Sequence, residues 1–255
     1  MGEGKVAGTV AIVTGASDGI AESIARTLAR EGASVAVVSR NLVRTQRVAD
    51  EIETAGGSAL AFQADVRRSH DVRNMVNAVL DRFGKIDILV NGVGGFSGKA
   101  EIEEITEAQW DDVIDLNMKT AFLCAQAVVG TMKAQGSGRI VNIGSQAGSA
   151  PNPHGDSFLP YGAAKAGLIG FTKHLAKQLG PYGITVNAVS PGTTLTTRSR
   201  GNRDAASIER IKAQNPMGTL VEPEDSAEAV VFLVSEAGRY ITGVNLNVNA
   251  GTMIL

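Results

Sequence analysis

Val10-Ala11-Ile12-Val13-Thr14-Gly15-Ala16-Ser17-Asp18-Gly19-Ile20-Ala21 is the stretch that decides the fold of this chain. Val10 through Thr14 is a short apolar run of the kind found in a strand buried on both faces. From Gly19 to Arg30 the pattern changes to a helical period carried by Ile20, Ile24 and Leu28, and Gly32 stops it. A strand, a glycine-rich turn and a helix in direct succession is the arrangement a phosphate-binding turn needs. Gly15 permits the tight turn, and Gly19 permits close approach of backbone to a pyrophosphate. The helix start offers free N–H groups and a positive dipole end. Ser17, Asp18 and Ile20 lie in or beside that turn. Ala21 occupies the position where a third glycine is commonest, a substitution this fingerprint tolerates.

The alternation continues along the chain. Strand-like runs follow at 34–39, 59–63, 86–91, 139–143, 184–189 and 244–248. Helical patterns fill the intervals at 42–55, 71–83, 108–135, 161–179 and 223–234. Doubly buried strands joined by helical crossovers imply a parallel sheet. The expectation is therefore an α/β, doubly wound, Rossmann-type fold of seven parallel strands with helices on both faces. No polar linker or residue-level repeat divides the chain, so residues 1–255 read as one domain. Two segments leave strands at their carboxyl ends, where such sheets bind ligands. One is 148–160, which carries prolines and His154; the other is 193–216, polar and weakly helical. Both are candidate substrate loops.

Composition narrows the function. A net charge of −2 gives no electrostatic case for a nucleic-acid or membrane partner. The single cysteine, Cys124, excludes an intrachain disulfide and reads as a small buried residue. His70 and His174 have no neighbours at metal-ligand spacing, so no metal site is expected. Residues 1–8 lack the apolar core of a signal peptide, and the longest apolar run, 229–234, is too short to span a bilayer. A cytoplasmic protein is expected.

The second strand ends in Ser39-Arg40-Asn41. An acid there would hold the ribose 2′-hydroxyl of NAD. Arg40 and Ser39 instead suit a 2′-phosphate, so NADP(H) is favoured over NAD(H). Asp18, an acid in the glycine turn, is the opposing sign: it either caps the helix or repels that phosphate. Further on, Tyr161-Gly162-Ala163-Ala164-Lys165 places a phenol and an ammonium on one helix face. Such a neighbour favours the phenolate and is expected to lower the tyrosine pKa toward neutrality.

Taken together and in order, Gly15-x-x-x-Gly19, Asn91-Gly92, Asn117, Ser145, Tyr161-x-x-x-Lys165 and Pro191-Gly192 resemble the short-chain dehydrogenase/reductase family, in its single-domain branch of about 250 residues. The resemblance covers Lys5 to Gly251. It implies that Tyr161 is the catalytic acid/base, that Lys165 tunes it and binds the nicotinamide ribose, and that Ser145 holds the substrate oxygen. Asn117 resembles the residue that keeps a relay water in line with Lys165. Asp65 and Val66 resemble the adenine-contacting pair, Asn91, Gly92 and Val93 the segment beside the adenine ribose, and Pro191, Gly192, Thr194 and Thr196 the carboxamide site. The helices at 117–135 and 161–179, the latter rich in small residues, resemble those of the family's homotetramer interface. Departures from the pattern are Ala21, Val93-Gly94 for Ala-Gly, Thr194 for a branched apolar residue, and Asn249-Ala250-Gly251 for Asp-Gly-Gly. The Ser145-to-Tyr161 spacing is also a few residues longer than usual.

The activity so implied is hydride transfer between NADP(H) and a ketone or secondary alcohol. Two alternatives stand beside it. One is a 3-oxoacyl-acyl-carrier-protein reductase; the other is a catalytically silent NADP(H)-binding regulator.

Overall fold

The computed structural model describes residues 4–96, 98, 100–151, 158–196 and 204–254. His154 and parts of both candidate substrate loops lie outside the described residues. Seven strands form one parallel sheet: β1 Val10–Thr14, β2 Ser34–Ser39, β3 Ser58–Gln63, β4 Ile88–Asn91, β5 Gly138–Ile143, β6 Ile184–Pro191 and β7 Asn245–Val248, in spatial order β3-β2-β1-β4-β5-β6-β7. The principal helices are α1 Gly19–Arg30, α2 Leu42–Thr54, α3 Ser69–Phe83, α4 Glu107–Ile114, α5 Thr120–Gln135, α6 Leu159–Leu179, α7 Ala205–Gln214 and α8 Pro223–Val234. The doubly wound fold expected from the sequence is the one observed. Strand order reverses between β1 and β4, and that switch point is where such sheets bind ligands.

Side-chain parity along the strands divides the core into two layers. Ala11 and Val13 of β1, Val35 and Val37 of β2, and Ile88 and Val90 of β4 face α1, α2 and α8. Val10 and Ile12, Ala36 and Val38, and Leu89 face α3, α5 and α6. The apolar side chains of both layers are mostly aliphatic. Cys124 lies in the second, fully buried, where desolvation pushes its thiol pKa up to about 12. It is therefore an apolar core residue, as its setting in the sequence suggested.

Three elements differ from the sequence reading. The stretch between 107 and 135 is helical throughout, but residues Asp115–Lys119 form a π-turn between α4 and α5. A π-turn inserts one residue into the helical ladder and rotates the turns beyond it, which apolar periodicity does not reveal. The 193–216 segment contains a ten-residue helix, α7, capped by Asp204, whose carboxylate accepts from the Ser207 amide at 2.7 Å. Helix α6 begins at Leu159, two residues before Tyr161, with Pro160 in its first turn.

The turns after β1 and β4 meet closely. A Cβ on Gly92 would lie 2.5 Å from the Thr14 carbonyl oxygen and 2.8 Å from the Ala21 Cβ. The missing side chain at Gly92 is thus the space into which the Ala21 methyl fits. This explains how the chain carries alanine where a third glycine is commoner. The second departure is less well accommodated. Ala250 has φ 52°, a left-handed conformation costing an L-residue with a Cβ roughly 1–2 kcal/mol. Ala250→Gly is expected to raise unfolding free energy by about 0.5–1 kcal/mol once the extra backbone entropy of glycine is subtracted. Urea denaturation of the two chains checks this.

Candidate active site

A cleft of about 1170 Å³ opens along the carboxyl edge of the sheet. At one end it is lined by Gly15, Ser17, Asp18, Gly19 and Ile20 of the glycine turn, with Ser39, Arg40, Asn41 and Arg44 beside them. Gly15 and Gly19 both have positive φ, 73° and 64°, and turn the backbone onto the start of α1. Asp18 sits at the N-cap but makes no side-chain capping bond there. Its carboxylate lies 3.4 Å from Arg44 instead. The first N–H groups of α1 therefore have no capping side chain, and a phosphate suits them. Sequence reading missed Arg44. The available signal was a second arginine four residues beyond Arg40, in the first turn of the helix after β2. Ser39 and Asn41 line the cleft, and their polar groups also join β2 to α2. The Ser39 hydroxyl lies 2.7 Å from that of Thr45 and accepts from the Asn41 amide at 3.1 Å. The side-chain oxygen of Asn41, Oδ1, caps α2 by accepting from Arg44 N at 3.1 Å.

Asp65 and Val66 line the next part of the cleft. Burial acts to raise the Asp65 carboxyl, but hydrogen bonds from Arg67 outweigh it and hold the pKa below the ordinary value. Arg67 also reaches Asp112 of α4 at 3.1 Å, tying the β3 loop to that helix. Gly92 and Val93 line the cleft, and so do Gly94 and Gly95. Asn91 does not. Its side chain is buried and donates to Asn142 Oδ1 at 2.9 Å. Parity carries the reason: Asn91 follows Leu89 on the face covered by α3, α5 and α6. The segment therefore meets the cleft through Gly92 and Val93, while the Asn91 side chain serves the core.

At the far end β5 delivers Ser145, and α6 delivers Tyr161 and Lys165. Ser145 and Tyr161 both line this end of the cleft, and the Ser145 hydroxyl favours the phenolate of Tyr161. Lys165 is buried; its Nζ donates to the Ile143 carbonyl at 2.7 Å and lies 5.7 Å from the Tyr161 ring centroid. Gly148 lets the turn after Ser145 rest directly on α6, since a Cβ there would lie 2.6 Å from the Lys165 carbonyl carbon. Asn117, in the π-turn, accepts from Gly95 N at 2.9 Å and donates to Gly95 O at 2.7 Å. It stands behind the cleft wall and fixes the loop after β4. A Cβ on Gly94 would lie 2.8 Å from Asn117 Oδ1 and 2.9 Å from Lys165 Nζ, so that glycine lets the loop approach both. Pro191, Gly192, Thr194 and Thr196 form the opposite wall. An isolated parallel bridge between Thr194 and Val221 holds it in place.

The electrostatics differ from the sequence expectation. Burial pushes the Tyr161 phenol above its ordinary pKa, and the Ser145 hydrogen bond only partly opposes this. Burial pulls Lys165 down to about 8. In the chain by itself Lys165 is not among the groups that lower the phenol. Desolvation penalises both charges, and the ammonium is turned toward the Ile143 carbonyl.

The family profile described as Enoyl-(Acyl carrier protein) reductase matches residues 15–253. A 3-oxoacyl-acyl-carrier-protein reductase of Staphylococcus epidermidis is 39% identical over 242 residues, covering 94% of this chain and 97% of that protein. One from Synechocystis is 40% identical over 247 residues, covering 96% and 97%. The chain belongs to the short-chain dehydrogenase/reductase family. A solved structure, 7α-hydroxysteroid dehydrogenase complexed with NADH and 7-oxo glycochenodeoxycholic acid, superposes with a TM-score of 0.89 at 32% identity, over 96% of this chain and 94% of its own. The chain is thus a short-chain dehydrogenase/reductase of the oxidoreductase class acting on CH–OH and ketone groups.

The low Lys165 pKa has a consequence for stability. The unfolded chain binds this proton up to about pH 10.5, the folded chain only up to about 8. The folded state therefore carries the penalty of a buried ammonium below pH 8 and sheds it as pH rises toward 10.5. Relative to Lys165→Met, the native chain is expected to gain about 2–3 kcal/mol between pH 7 and pH 10. Urea unfolding of both proteins at the two pH values measures it.

Proposed function

We propose that this chain is an NADP(H)-dependent carbonyl reductase and secondary-alcohol dehydrogenase, with Tyr161 as its acid/base. The observation that carries the reading is the convergence of Ser145, Tyr161 and buried Lys165 at the end of a cleft that begins in a phosphate-binding turn. The residues present fit a dinucleotide. The α1 N-terminus and the Gly15–Gly19 backbone receive its phosphates, and Arg40 with Arg44 the 2′-phosphate. Asp65 and Val66 flank its adenine, and Pro191, Gly192, Thr194 and Thr196 its carboxamide. A reduced nicotinamide, when bound, supplies a hydride.

The chain's own residues do the rest. Ser145 and Tyr161 orient a carbonyl oxygen from one side. Tyr161, held protonated at neutral pH by burial, donates the proton that this oxygen needs as charge develops on it. Lys165 retains two N–H donors beyond its bond to Ile143 O, and these suit the nicotinamide ribose hydroxyls and a water leading toward solvent. Asn117 acts at one remove by holding the loop after β4 against Lys165.

The second reading is reduction of a 3-oxoacyl carrier-protein thioester, favoured by the names of the Staphylococcus and Synechocystis relatives. Turnover of acyl thioesters without turnover of small or cyclic ketones would select it. We also propose a cytoplasmic homotetramer assembled through 117–135 and 161–179. The helical run Glu107–Gln135 supports this: its most apolar window has mean hydropathy 1.2, yet 39% of it is buried within the chain. Phe122 is exposed on that run, and Gly130 and Gly170 face open space.

Tyr161→Phe is expected to lower kcat by about a thousandfold or more and leave the NADPH dissociation constant within about threefold. Stopped-flow turnover and NADPH fluorescence titration report the two separately. Arg44→Ala is expected to raise KM for NADPH about tenfold and change that for NADH little, because a charge-assisted bond to the 2′-phosphate is lost. Initial rates with both cofactors test this.

A further inference from the structure

Phe96 is a large apolar side chain left 44% exposed in the wall of the catalytic end of the cleft. Its ring stacks on Phe158 with centroids 5.6 Å apart and planes inclined by 28°. It also lies 4.8 Å from the Tyr161 ring, tilted by 45°. Three aromatic rings thus run continuously up to the phenol at the catalytic end. Rigid backbone places each of them. Phe96 follows Gly95, whose N–H and C=O are both held by Asn117. The Phe158 carbonyl accepts from Tyr161 N and Gly162 N at 3.0 and 3.1 Å, so it moves with the start of α6. Phe158 is itself buried against Val113 and Ala164.

We infer that Phe96 and Phe158 form a shelf for a flat ring, and that the substrate is an aryl ketone or the matching benzylic alcohol. This rests on the carbonyl-reductase reading and specifies its substrate. The Phe96 ring packs against the Tyr161 ring and is exposed beside it, within reach of a substituent on a carbonyl seated at Tyr161. A flat aromatic group there extends the existing stack and covers the exposed ring. A 3-oxoacyl thioester carries a second carbonyl, to which Phe96, Phe158 and Val113 offer no polar partner. The reaction remains a two-electron reduction with a dihydronicotinamide as reductant. The carbonyl carbon gains the hydride and its oxygen the Tyr161 proton, so the aryl ketone leaves as a benzylic alcohol.

The protein with NADPH would be assayed on a phenyl alkyl ketone, a straight-chain methyl ketone of equal carbon number and a 3-oxoacyl thioester. The aryl ketone is expected to show a kcat/KM at least tenfold above the other two. Phe96→Ala should remove at least tenfold of that value while changing the straight-chain ketone and NADPH binding less than threefold. Phe96→Tyr should restore the preference. Equal rates on aryl and straight-chain ketones, or an equal loss on both in Phe96→Ala, would overturn the shelf. Tight NADPH binding with no turnover of any carbonyl would overturn the reductase reading beneath it. Calorimetric titration of the aryl ketone into the NADP⁺-loaded protein then decides the shelf alone. Binding weakened at least tenfold by Phe96→Ala sustains it, and binding unaffected by that change refutes it.

Discussion

The burial of one ammonium group organises the catalytic end of this molecule. Lys165 is almost wholly removed from water and held by the Ile143 carbonyl at the end of β5. An ammonium in that position is costly unless the backbone around it is fixed. Several features of the site answer that demand. The turn after Ser145 lies directly on α6 at Lys165, a contact that only a glycine at position 148 permits. Gly94 brings the loop after β4 within reach of the same Nζ. The strand that ends at Ile143 also presents Ser145, so one hydrogen bond sets both the lysine and the serine relative to Tyr161.

Helix α6 must also be rotated correctly, and a second buried polar line secures this. Asn91 donates to Asn142, Asn142 donates to Thr172, and Thr172 donates to the Leu168 carbonyl. Thr172 lies seven residues from Lys165, two turns on and on the same face. The helix is therefore tied to the sheet at two points by polar contacts, in a layer otherwise made of aliphatic packing. Aliphatic contacts tolerate small rotations, whereas a hydrogen-bonded line does not. Tyr161 reaches the cleft because of this line, although Asn91 and Asn142 touch nothing in the site themselves.

The site is legible in the sequence where function rests on the backbone. Gly15 and Gly19 after a strand, and Pro191-Gly192 at the end of another, mark positions that the fold alone places at one edge of the sheet. It is less legible where function rests on side-chain direction. Asn91 carries the family's motif yet points into the core, a fact contained in its parity with Leu89. Ser39 and Asn41 stand where a 2′-phosphate would be read but use their polar groups to start α2. Arg44 lines the cleft beside them from a helix that the motif does not include. Phe96 and Phe158 are 62 residues apart in sequence and meet only because β4 and α6 bring them to the same end of the cleft.

The sequence by itself determined the order of strands and helices, their apolar faces and the residues that mark the cofactor turn. Those properties depend on local period and on the conformational freedom of particular glycines, which are written residue by residue. Tertiary structure alone decided the directions in which burial moves the Tyr161 and Lys165 pKa values, the role of Ala21 against Gly92, and the aromatic wall beside the phenol. Each of these depends on how much water and which atoms surround a group. Those surroundings come from segments far apart in the chain and exist only once the sheet has brought its edges together.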